Sequence, residues 1–453
     1  MDSLIAQIVA DFKSKHQVDL ADEAGWYRTE RDLHTYLMAE IGRSMFDSII
    51  STMDPGYQGP TIEHEGHTLK FVGYRTTELH GLFGMVRYRR AYYHGSQHGA
   101  GGYFPLDERL GIEKRHTPCC QYFLSSFTGR EAYGKSLGRF QEVFRPDGKD
   151  LISQRKALDM DAELGERLER HRQEEIGQVF EEGKSVATRE VVTGVMAVSV
   201  DATKLREKGE EKRSEEGKRS YEIAWKDVKV GAVSQVSWDK KREEAYCSHS
   251  SYVGGIEYAD EFFKRVYVEM TRRSAALGGQ MMVFVADGGA WIWDRLKDLA
   301  NPNSVLILDY FHACEHVADL CKVLYGEQTP AFWDHFKEGK TLLFEGKVEP
   351  FLSELKELRT TTLTPGQREV LERELHYFEG HREHMHYDQY RAAHLPIGSG
   401  TIESACKNVI GGRMKQGGMT WSEQGADCMV QLRCSIESGR FLDDFLATLK
   451  AVA

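Results

Sequence analysis

Between residues 191 and 325 the sequence alternates short apolar runs with segments of helical character. The predicted strands are 192–200, 225–238, 245–252, 281–286 and 305–308. The first three follow one another directly, as in a meander, and the last two are each followed by a predicted helix. This order predicts an α/β fold, in which a mixed sheet carries helices on its faces.

Two of the predicted strands end in an aspartate. Asp201 follows the run 192–200, and Asp287 follows the run 281–286. A carboxylate at the C-terminal end of a buried strand usually points at a ligand rather than into the core. Aspartate also caps helices and begins turns, so Asp287-Gly288-Gly289 alone is equally consistent with a turn. We expect the two strands to be neighbours in one sheet, which would bring the carboxylates together.

A third acidic residue, Glu403, lies in the segment 398–407 (GSGTIESACK), just inside a predicted helix. Two strand-end aspartates and a helix-borne glutamate can hold a pair of divalent cations, roughly 3.5–4 Å apart, for in-line attack on a phosphodiester. We therefore predict Asp201, Asp287 and Glu403 as ligands of two Mg²⁺ or Mn²⁺ ions. Lys407 follows Glu403 by four residues, so a surface ion pair is the structural alternative.

Histidines follow the fifth predicted strand. Asp309 and His312 form a DxxH motif where the strand passes into a helix, and His316 lies four residues after His312. That spacing suits a single metal ion. Because no glutamate is placed as in an HExxH motif, ordinary hydrogen bonding is the favoured interpretation of His316.

The segment after Glu403 is rich in glycine and positive charge. Residues 406–421 contain Lys407, Arg413 and Lys415, no acidic residue, and Trp421 at the end. Glycines allow close backbone approach, cations neutralise phosphates, and an indole ring can stack on a base. These four side chains are predicted DNA contacts.

The net charge of −11 counts against a nucleic-acid partner, because phosphate binding normally requires a basic surface. Charge is uneven, however: residues 204–242 hold twelve Lys and Arg against eight Asp and Glu, a surplus of four. We expect weak and salt-sensitive DNA binding. The charged run 204–220 is predicted to be a solvated, mobile loop.

A chain of 453 residues is long enough for two or three domains. The predicted segments are an N-terminal helical and β-rich domain (1–115), a helical segment (116–190), the sheet core (191–325), a helical insertion (326–391) and the remainder of the core with the Glu403 helix (392–453). The N-terminal region is therefore predicted to be α+β.

Residues 129–144 and 151–163 flank a turn and are compatible with a helix-turn-helix. Arg155 and Lys156 would then lie early on its recognition helix and contact DNA. An ordinary helical hairpin fits equally well.

Scattered cysteines without a CxxC pair predict reduced thiols and a cytoplasmic protein. The N-terminal residues form an amphipathic pattern unlike a signal peptide, and no apolar run approaches the roughly 20 residues that span a bilayer. No membrane partner is expected.

The order of Asp201, Asp287, the Asp309–His312 pair and Glu403 resembles the RNase H-like DDE transposases of bacterial insertion sequences, in the branch with a Mutator-like DxxH signature. The pattern G-S-G-x-x-E-x-x-C-K … R-x-K-Q-x-G-M-x-W over residues 398–421 is similar to the Kra-type insertion-sequence transposases. So is the phrase LDYFHACEH at 308–316. The similarity is strongest over residues 191–440, with a weaker part around 84–107.

The resemblance implies an RNase H-like fold and metal-dependent DNA cleavage and strand transfer by a DDE triad. By position, Asp201, Asp287 and Glu403 match the metal ligands of that family. His312 would orient the scissile phosphate or a carboxylate. It implies double-stranded DNA partners (element ends and target), a location at the bacterial nucleoid, and at least a dimer on DNA.

The sequence departs from that family at one place. Members often carry a CxxC-type zinc motif after the tyrosine pair, but here the stretch contains His94 and His98 and no cysteine. Two histidines alone make a poor zinc site, so a zinc knuckle is not expected.

Three alternatives stay open. One is a metal-dependent nuclease without strand transfer, and another is a host-adopted DNA-binding protein that no longer cuts. The third is a purely structural α/β scaffold, which would leave the glycine-rich segment around Glu403 unexplained.

Overall fold

The computed structural model describes residues 2–95, 101–112, 114–213 and 219–449. By internal contacts the chain divides into two compact units. The first comprises Met1–Leu164 with Leu442–Ala453, and the second comprises Gly165–Phe441. The boundary at Leu164 lies inside the predicted helical segment 116–190.

The first unit begins with helices and continues with an antiparallel sheet, as the sequence predicts. The helices before the sheet are α1 (Asp2–Lys15), α2 (Glu23–Thr35) and α3 (Arg43–Met53), with a π-helical stretch at Tyr36–Gly42. The strands, in spatial order, are β1 (Thr61–His64), β2 (His67–Gly81), β3 (Gly84–His94) and β4 (Gly102–Tyr103). The helices after the sheet are α4 (Pro105–Arg109), α5 (Pro118–Thr128), α6 (Tyr133–Phe144) and the first part of α7 (Gln154–Phe180).

One face of this sheet packs against helices. Val86 and Tyr88 alternate along β3 and are buried with Leu79 of β2, Ile50 of α3 and Leu106 of α4. Successive strand residues point to opposite faces, so apolar residues at every second position produce one buried face. The alternation along β3 therefore builds this core.

The second unit contains a mixed five-stranded sheet. Its strands are β5 (Met196–Arg213), β6 (Arg219–Asp239), β7 (Glu244–Gly255), β8 (Met282–Ala286) and β9 (Ser304–Leu308). The spatial order is β7-β6-β5-β8-β9. Strands β7, β6 and β5 pair antiparallel, whereas β5, β8 and β9 pair parallel. The predicted mixed α/β sheet is confirmed.

The parallel part of the sheet is buried on both faces. All five residues of β8 are buried. Val283 and Val285 join one apolar cluster with helical residues such as Val317, while Met282 and Phe284 join a second cluster on the other face. Parallel strands covered on both faces read as continuous apolar runs, which explains why 281–286 was recognisable in the sequence.

The prediction of a mobile loop at 204–220 is wrong for the part that the structure describes. β5 and β6 continue as a paired ribbon from Thr203 opposite Val228 to Arg213 opposite Arg219. Leu205 is buried although its neighbours are charged. Backbone pairing satisfies the peptide groups, so a ribbon of largely charged residues can remain ordered.

The helices of the second unit lie between and after its strands. They are the rest of α7, then α8 (Ala259–Arg272), α9 (Ala290–Leu299), α10 (Tyr310–Tyr325), α11 (Pro330–Phe344), α12 (Val348–Leu358), α13 (Pro365–His381), α14 (Tyr387–Ala392), α15 (Gly400–Ala405), α16 (Gly412–Met414) and α17 (Glu423–Glu437). The segment 326–391 is helical and contains no strand, as predicted. The final helix, α18 (Phe441–Ala447), begins at the end of this unit. Over the described ranges, no helix is long and apolar enough to span a bilayer.

Candidate active site

Asp201 and Asp287 lie just past the point where the parallel pairing of β5 with β8 ends. The last pair in that register is Ser199 opposite Val285. The prediction that the two strands are neighbours is therefore confirmed. Asp287 directly follows β8, as predicted, but the prediction that Asp201 ends its strand is wrong, because β5 continues to Arg213 and pairs Asp201 with Val230 of β6.

The surroundings of Asp201 oppose its negative charge. Burial raises the pKa of Asp201, and the charge of Asp287 raises it further. The Ala202 amide, the Cys406 thiol and the charge of His312 lower the pKa without cancelling this rise. The Ala202 amide donates to Oδ1 at 2.6 Å, and the thiol of Cys406 donates to Oδ2 at 3.7 Å. A cation held between two such carboxylates would relieve their repulsion.

Asp287 is fixed at the start of a tight turn. Its Oδ1 accepts a hydrogen bond from the amide of Gly289 at 3.0 Å, and its backbone carbonyl accepts one from the indole Nε1 of Trp293 at 2.5 Å. The turn interpretation of Asp287-Gly288-Gly289 is therefore correct as far as local geometry goes. The turn also keeps the carboxylate at the strand end, so it is compatible with a ligand role.

Asp309 joins the start of α10 to the loop before Glu403. One carboxylate oxygen caps the helix by accepting from the amides of Phe311 at 2.7 Å and His312 at 3.2 Å. The other oxygen accepts from the amide of Ser399 at 2.9 Å and from the Ser399 hydroxyl. This carboxylate is occupied with holding two chain segments together, so we assign Asp309 a structural role.

Glu403 is exposed on α15, one residue after the buried Ile402. The chain continues from α15 into a π-helical stretch, Cys406–Gly411, whose first residue contacts Asp201. Burial and the charge of Asp201 raise the pKa of Cys406 to about 12, and Glu403 contributes in the same direction. Cys406 therefore connects the Glu403 segment to Asp201 within β5 as a protonated thiol.

The three predicted ligands are not gathered into one cluster. Within the residues that the structure describes, no group of three or more His, Cys, Asp or Glu side chains is arranged to hold a metal ion. Asp201 and Asp287 nevertheless offer the carboxylate oxygens that Mg²⁺ prefers, and their repulsion favours a cation. The two carboxylates supply the type of oxygen ligand that a divalent cation takes, and Glu403 does not join them in this structure.

The two histidines of α10 differ in their surroundings. His316 Nδ1 lies 2.6 Å from the carboxylate of Glu374, and its ring stacks on Tyr377 with centroids 3.8 Å apart. The interpretation of His316 as an ordinary hydrogen-bonded histidine is confirmed. His312 is half-buried, contacts Glu315 at 3.2 Å, and acts electrostatically on Asp201, so it remains at the candidate site.

The four predicted DNA contacts of this unit divide into an exposed and a buried pair. Lys407 and Lys415 are exposed, and the Lys415 ammonium donates to the hydroxyl of Thr203, two residues after Asp201. Within the part of the chain that the structure describes, Lys407 forms no ion pair with Glu403. Both lysines are accessible to a phosphate.

Arg413 and Trp421 are buried, which corrects the expectation that they face DNA. Arg413 has no exposed surface, and its guanidinium lies over the Trp421 ring, 5.2 Å from the centroid. The Trp421 indole donates to the carbonyl of Met414 at 2.9 Å, and its backbone pairs with β5 next to Glu207. Arg413 and Trp421, which contributed to the prediction of a DNA channel, instead attach the segment after α16 to the β5–β6 ribbon.

The remaining predicted contacts belong to the first unit. Arg155 is exposed at the start of α7, where it pairs with Asp159 at 3.1 Å. Lys156 Nζ lies 3.3 Å from His116 Nδ1. Helix α7 is longer than the predicted recognition helix at 151–163. Of the histidines considered for zinc, His94 is exposed at the end of β3, and His98 lies outside the described residues.

Sequence reasoning missed the residues of the insertion that border this site. Glu374, Tyr377 and His381 of α13 follow one another at spacings of three and four. Tyr377 contacts Gly288, and His381 lies close enough to Asp287 and the Gly288 backbone to be affected by both. A polar and aromatic stripe at helical spacing was the available signal, but it does not by itself tell which surface the helix covers.

A scan against protein-family models finds no match for this chain, and a search among curated proteins finds none either. The function proposed below therefore depends on the site geometry and on the motif residues themselves.

Proposed function

We propose that the chain is a transposase that cuts and joins DNA at Asp201 and Asp287 of its mixed sheet. The observation that carries the proposal is the pairing of β5 with β8, because Asp201 and Asp287 each lie two residues past its last pair, Ser199 opposite Val285. The order β7-β6-β5-β8-β9, with three antiparallel and then two parallel strands, supports an RNase H-like core. The helical segment 326–391 and the motif of residues 398–421 support the Kra-type interpretation.

The two aspartates would hold divalent cations, with Glu403 as the third carboxylate. Mg²⁺ or Mn²⁺ bound there supplies Lewis acidity, which lowers the pKa of the attacking hydroxyl and stabilises charge on the attacking and leaving oxygens. Other residues of the chain orient the two carboxylates. The Cys406 thiol orients Asp201, and the turn bond from Gly289 orients Asp287.

Lys407 and Lys415 are the side chains proposed to bind the DNA backbone near the site. Both are exposed cations, and Lys415 donates to Thr203, two residues after Asp201 in β5. Lysine neutralises phosphates as a point charge without reading base sequence. The protein's net charge of −11 makes such contacts sensitive to salt. His312, beside Asp201, is proposed to orient the scissile phosphate or a carboxylate.

The proposed substrates are the two ends of an insertion sequence and a target duplex, with at least two copies of the chain to pair the ends. Asp309 serves this function by holding the loop that leads to Glu403. Its hydrogen bonds to Ser399 fix where α15 begins relative to α10.

Product analysis tests this proposal. A plasmid with the gene's own flanking DNA is incubated with the protein and Mg²⁺, and nicked and joined products are separated and sequenced. Cuts at the repeat ends with free 3′-hydroxyls, followed by joined products, are expected. Asp201→Asn should lose both, whereas Asp227→Asn, at an exposed ion pair with Lys204 on the same ribbon, should retain both.

A non-cutting DNA-binding protein is the second candidate, and one observation favours it. Glu403 is exposed, and the described residues contain no three-membered metal cluster. Metal-independent binding to the flanking DNA with no cut product would support that candidate, while cut but never joined products would indicate a nuclease.

A further inference from the structure

Helix α13 presents one face to the turn that carries Asp287. Glu374, Tyr377 and His381 lie three and four residues apart, so they project from the same side of the helix. On that side Tyr377 reaches Gly288, the residue directly after Asp287. The insertion thus supplies the candidate site with a phenol group.

The Tyr377 ring is wedged against the turn. A Cβ atom added to Gly288 would lie 2.1 Å from Tyr377 Cε2 and 2.7 Å from its hydroxyl oxygen. The ring also stacks on His316, with centroids 3.8 Å apart, and His316 is itself bonded to Glu374 at 2.6 Å. The contacts with Gly288 and His316 restrict the position of the Tyr377 side chain.

The hydroxyl of Tyr377 is enclosed by protein and makes no hydrogen bond in the structure. Buried hydroxyls nearly always have a partner, because an unmet one costs free energy. Burial raises the pKa of Tyr377, and of the surrounding charges Asp287 raises it most. A tyrosine hydroxyl is a hydrogen-bond donor at neutral pH, so this one can donate to a carboxylate at the adjacent turn.

We propose that Tyr377 is a positioning residue of the metal site, whose hydroxyl donates a hydrogen bond to the Asp287 carboxylate when a divalent cation is bound. This inference rests on the function proposed above. In the structure Asp287 uses Oδ1 for its turn bond to Gly289. Carboxylates that hold metals are commonly oriented by a hydrogen bond from a neighbouring residue, and losing that bond typically weakens metal binding 10–100-fold.

Because the hydroxyl has no partner without the cation, removing it should not destabilise the cation-free protein. Tyr377→Phe should therefore keep or raise the unfolding temperature in EDTA while weakening the binding of Mn²⁺ by about tenfold. If the hydroxyl made a purely structural hydrogen bond, the substitution by phenylalanine would lower the unfolding temperature and leave Mn²⁺ binding unchanged.

Tyr390 provides the matched control. It lies in the same insertion, and its hydroxyl donates to the carbonyl of Glu383 at 3.4 Å. Tyr390→Phe removes the same atom from a partnered position, so it should lower the unfolding temperature and leave the affinity for Mn²⁺ unchanged.

The experiment titrates the full chain with Mn²⁺ in the absence of DNA and follows free Mn²⁺ by electron paramagnetic resonance. Wild type, Tyr377→Phe, Tyr390→Phe and Asp287→Ala are compared, and each is also unfolded thermally in EDTA. Weaker Mn²⁺ binding by Tyr377→Phe at undiminished stability supports the inference. Equal Mn²⁺ affinity, or a lower unfolding temperature in EDTA, would overturn it while leaving the proposed function standing. If wild type binds no Mn²⁺, or if Asp287→Ala binds Mn²⁺ as wild type does, the proposed function fails and this inference fails with it.

Discussion

Removing the carboxylate of Asp309 should destabilise the second unit far more than the loss of an ordinary helix cap. The side chain is 6% exposed and accepts hydrogen bonds from two amides of α10 and from the amide and hydroxyl of Ser399. Loss of an N-cap costs about 1 kcal/mol. Loss of bonds to a buried charged group adds about 1.5–3 kcal/mol. We expect Asp309→Ala to lose about 2.5–4 kcal/mol of unfolding free energy.

Two milder substitutions separate the contribution of the bonds to α10 from that of the bonds to Ser399. Asparagine caps helices as well as aspartate does, so Asp309→Asn should keep the bonds to α10 and weaken those to Ser399. Ser399→Ala removes the hydroxyl bond alone. Each should cost about 1–2 kcal/mol, less than Asp309→Ala. The same-unit control is Thr364→Ala, which removes an exposed cap at the start of α13 and should cost about 1 kcal/mol.

Urea unfolding followed by tryptophan fluorescence is the assay. Every tryptophan except Trp26 lies in the second unit, so the signal reports chiefly on that unit. With a slope of about 3 kcal/mol/M, a loss of about 3 kcal/mol lowers the midpoint by about 1 M urea. An Asp309→Ala midpoint equal to that of Thr364→Ala would refute the assigned role, because the bonds to Ser399 would then contribute nothing.

Three further substitutions probe other parts of the structure. Gly288→Ala should cost about 1–3 kcal/mol, because the new methyl group would overlap the ring of Tyr377; urea unfolding measures this. Glu269→Ala should cost about 3–5 kcal/mol, because it leaves the buried guanidinium of Arg440 without the carboxylate that it contacts at 2.5 Å; thermal and urea unfolding would show this. Burial, with the charges of Arg145 and Lys156, lowers the pKa of His80 to about 4. The unfolded state therefore binds the proton more tightly, and stability present above pH 6.5 is lost as the pH falls towards 4. Because the His80 imidazole is partly solvated, the loss of unfolding free energy is about 1–2 kcal/mol. His80→Gln should reduce this loss when the free energy of unfolding is measured at pH 7 and at pH 5.

Each of these predictions has an outcome that contradicts it. Gly380→Ala in α13, where an added methyl group meets no atom within 4 Å, should stabilise by up to about 1 kcal/mol. If Gly288→Ala stabilised as well, the close contact with Tyr377 would be absent in solution. A Glu269→Ala protein as stable as wild type would mean that the buried ion pair is not formed. Identical pH dependence in wild type and His80→Gln would show that His80 is not the titrating group.

Much of the sheet could be predicted because its strands carry the signal locally. The runs before Asp201 and Asp287 are largely apolar, as is typical of strands buried on both faces. The neighbouring position of these strands followed from the α/β pattern. Both the mixed sheet and the helical insertion were recognisable on this basis.

The charged ribbon could not be predicted, because its order comes from partners distant in sequence. Residues 204–213 are largely charged, which locally favours a solvated loop. They are ordered by pairing with β6 and by the Trp421 backbone, whose carbonyl accepts from the amide of Lys208 at 2.8 Å. That contact joins residues more than 200 positions apart, and no local pattern encodes it.

The candidate site shows the same division. The apolar runs pointed to Asp201 and Asp287, although β5 continues past Asp201, whereas residue type misjudged Arg413 and Trp421. Arginine is almost never fully buried unless it is paired, so the sequence favours an exposed position. In the structure, stacking on the indole ring accompanies its burial. The role of Tyr377 depends on how α13 packs, which periodicity alone does not determine.

The most direct test of the account compares DNA cutting in Mg²⁺ by wild type, Asp287→Asn and the ribbon control Asp227→Asn under single-turnover conditions. End-labelled DNA from the gene's flanks is the substrate, and circular dichroism verifies that each variant is folded. The account predicts metal-dependent cuts at the repeat ends by wild type and Asp227→Asn. It predicts a rate lower by about 10³-fold or more for Asp287→Asn, since metal coordination contributes several kcal/mol to transition-state stabilisation. Cutting by a folded Asp287→Asn protein at the wild-type rate would contradict the central claim.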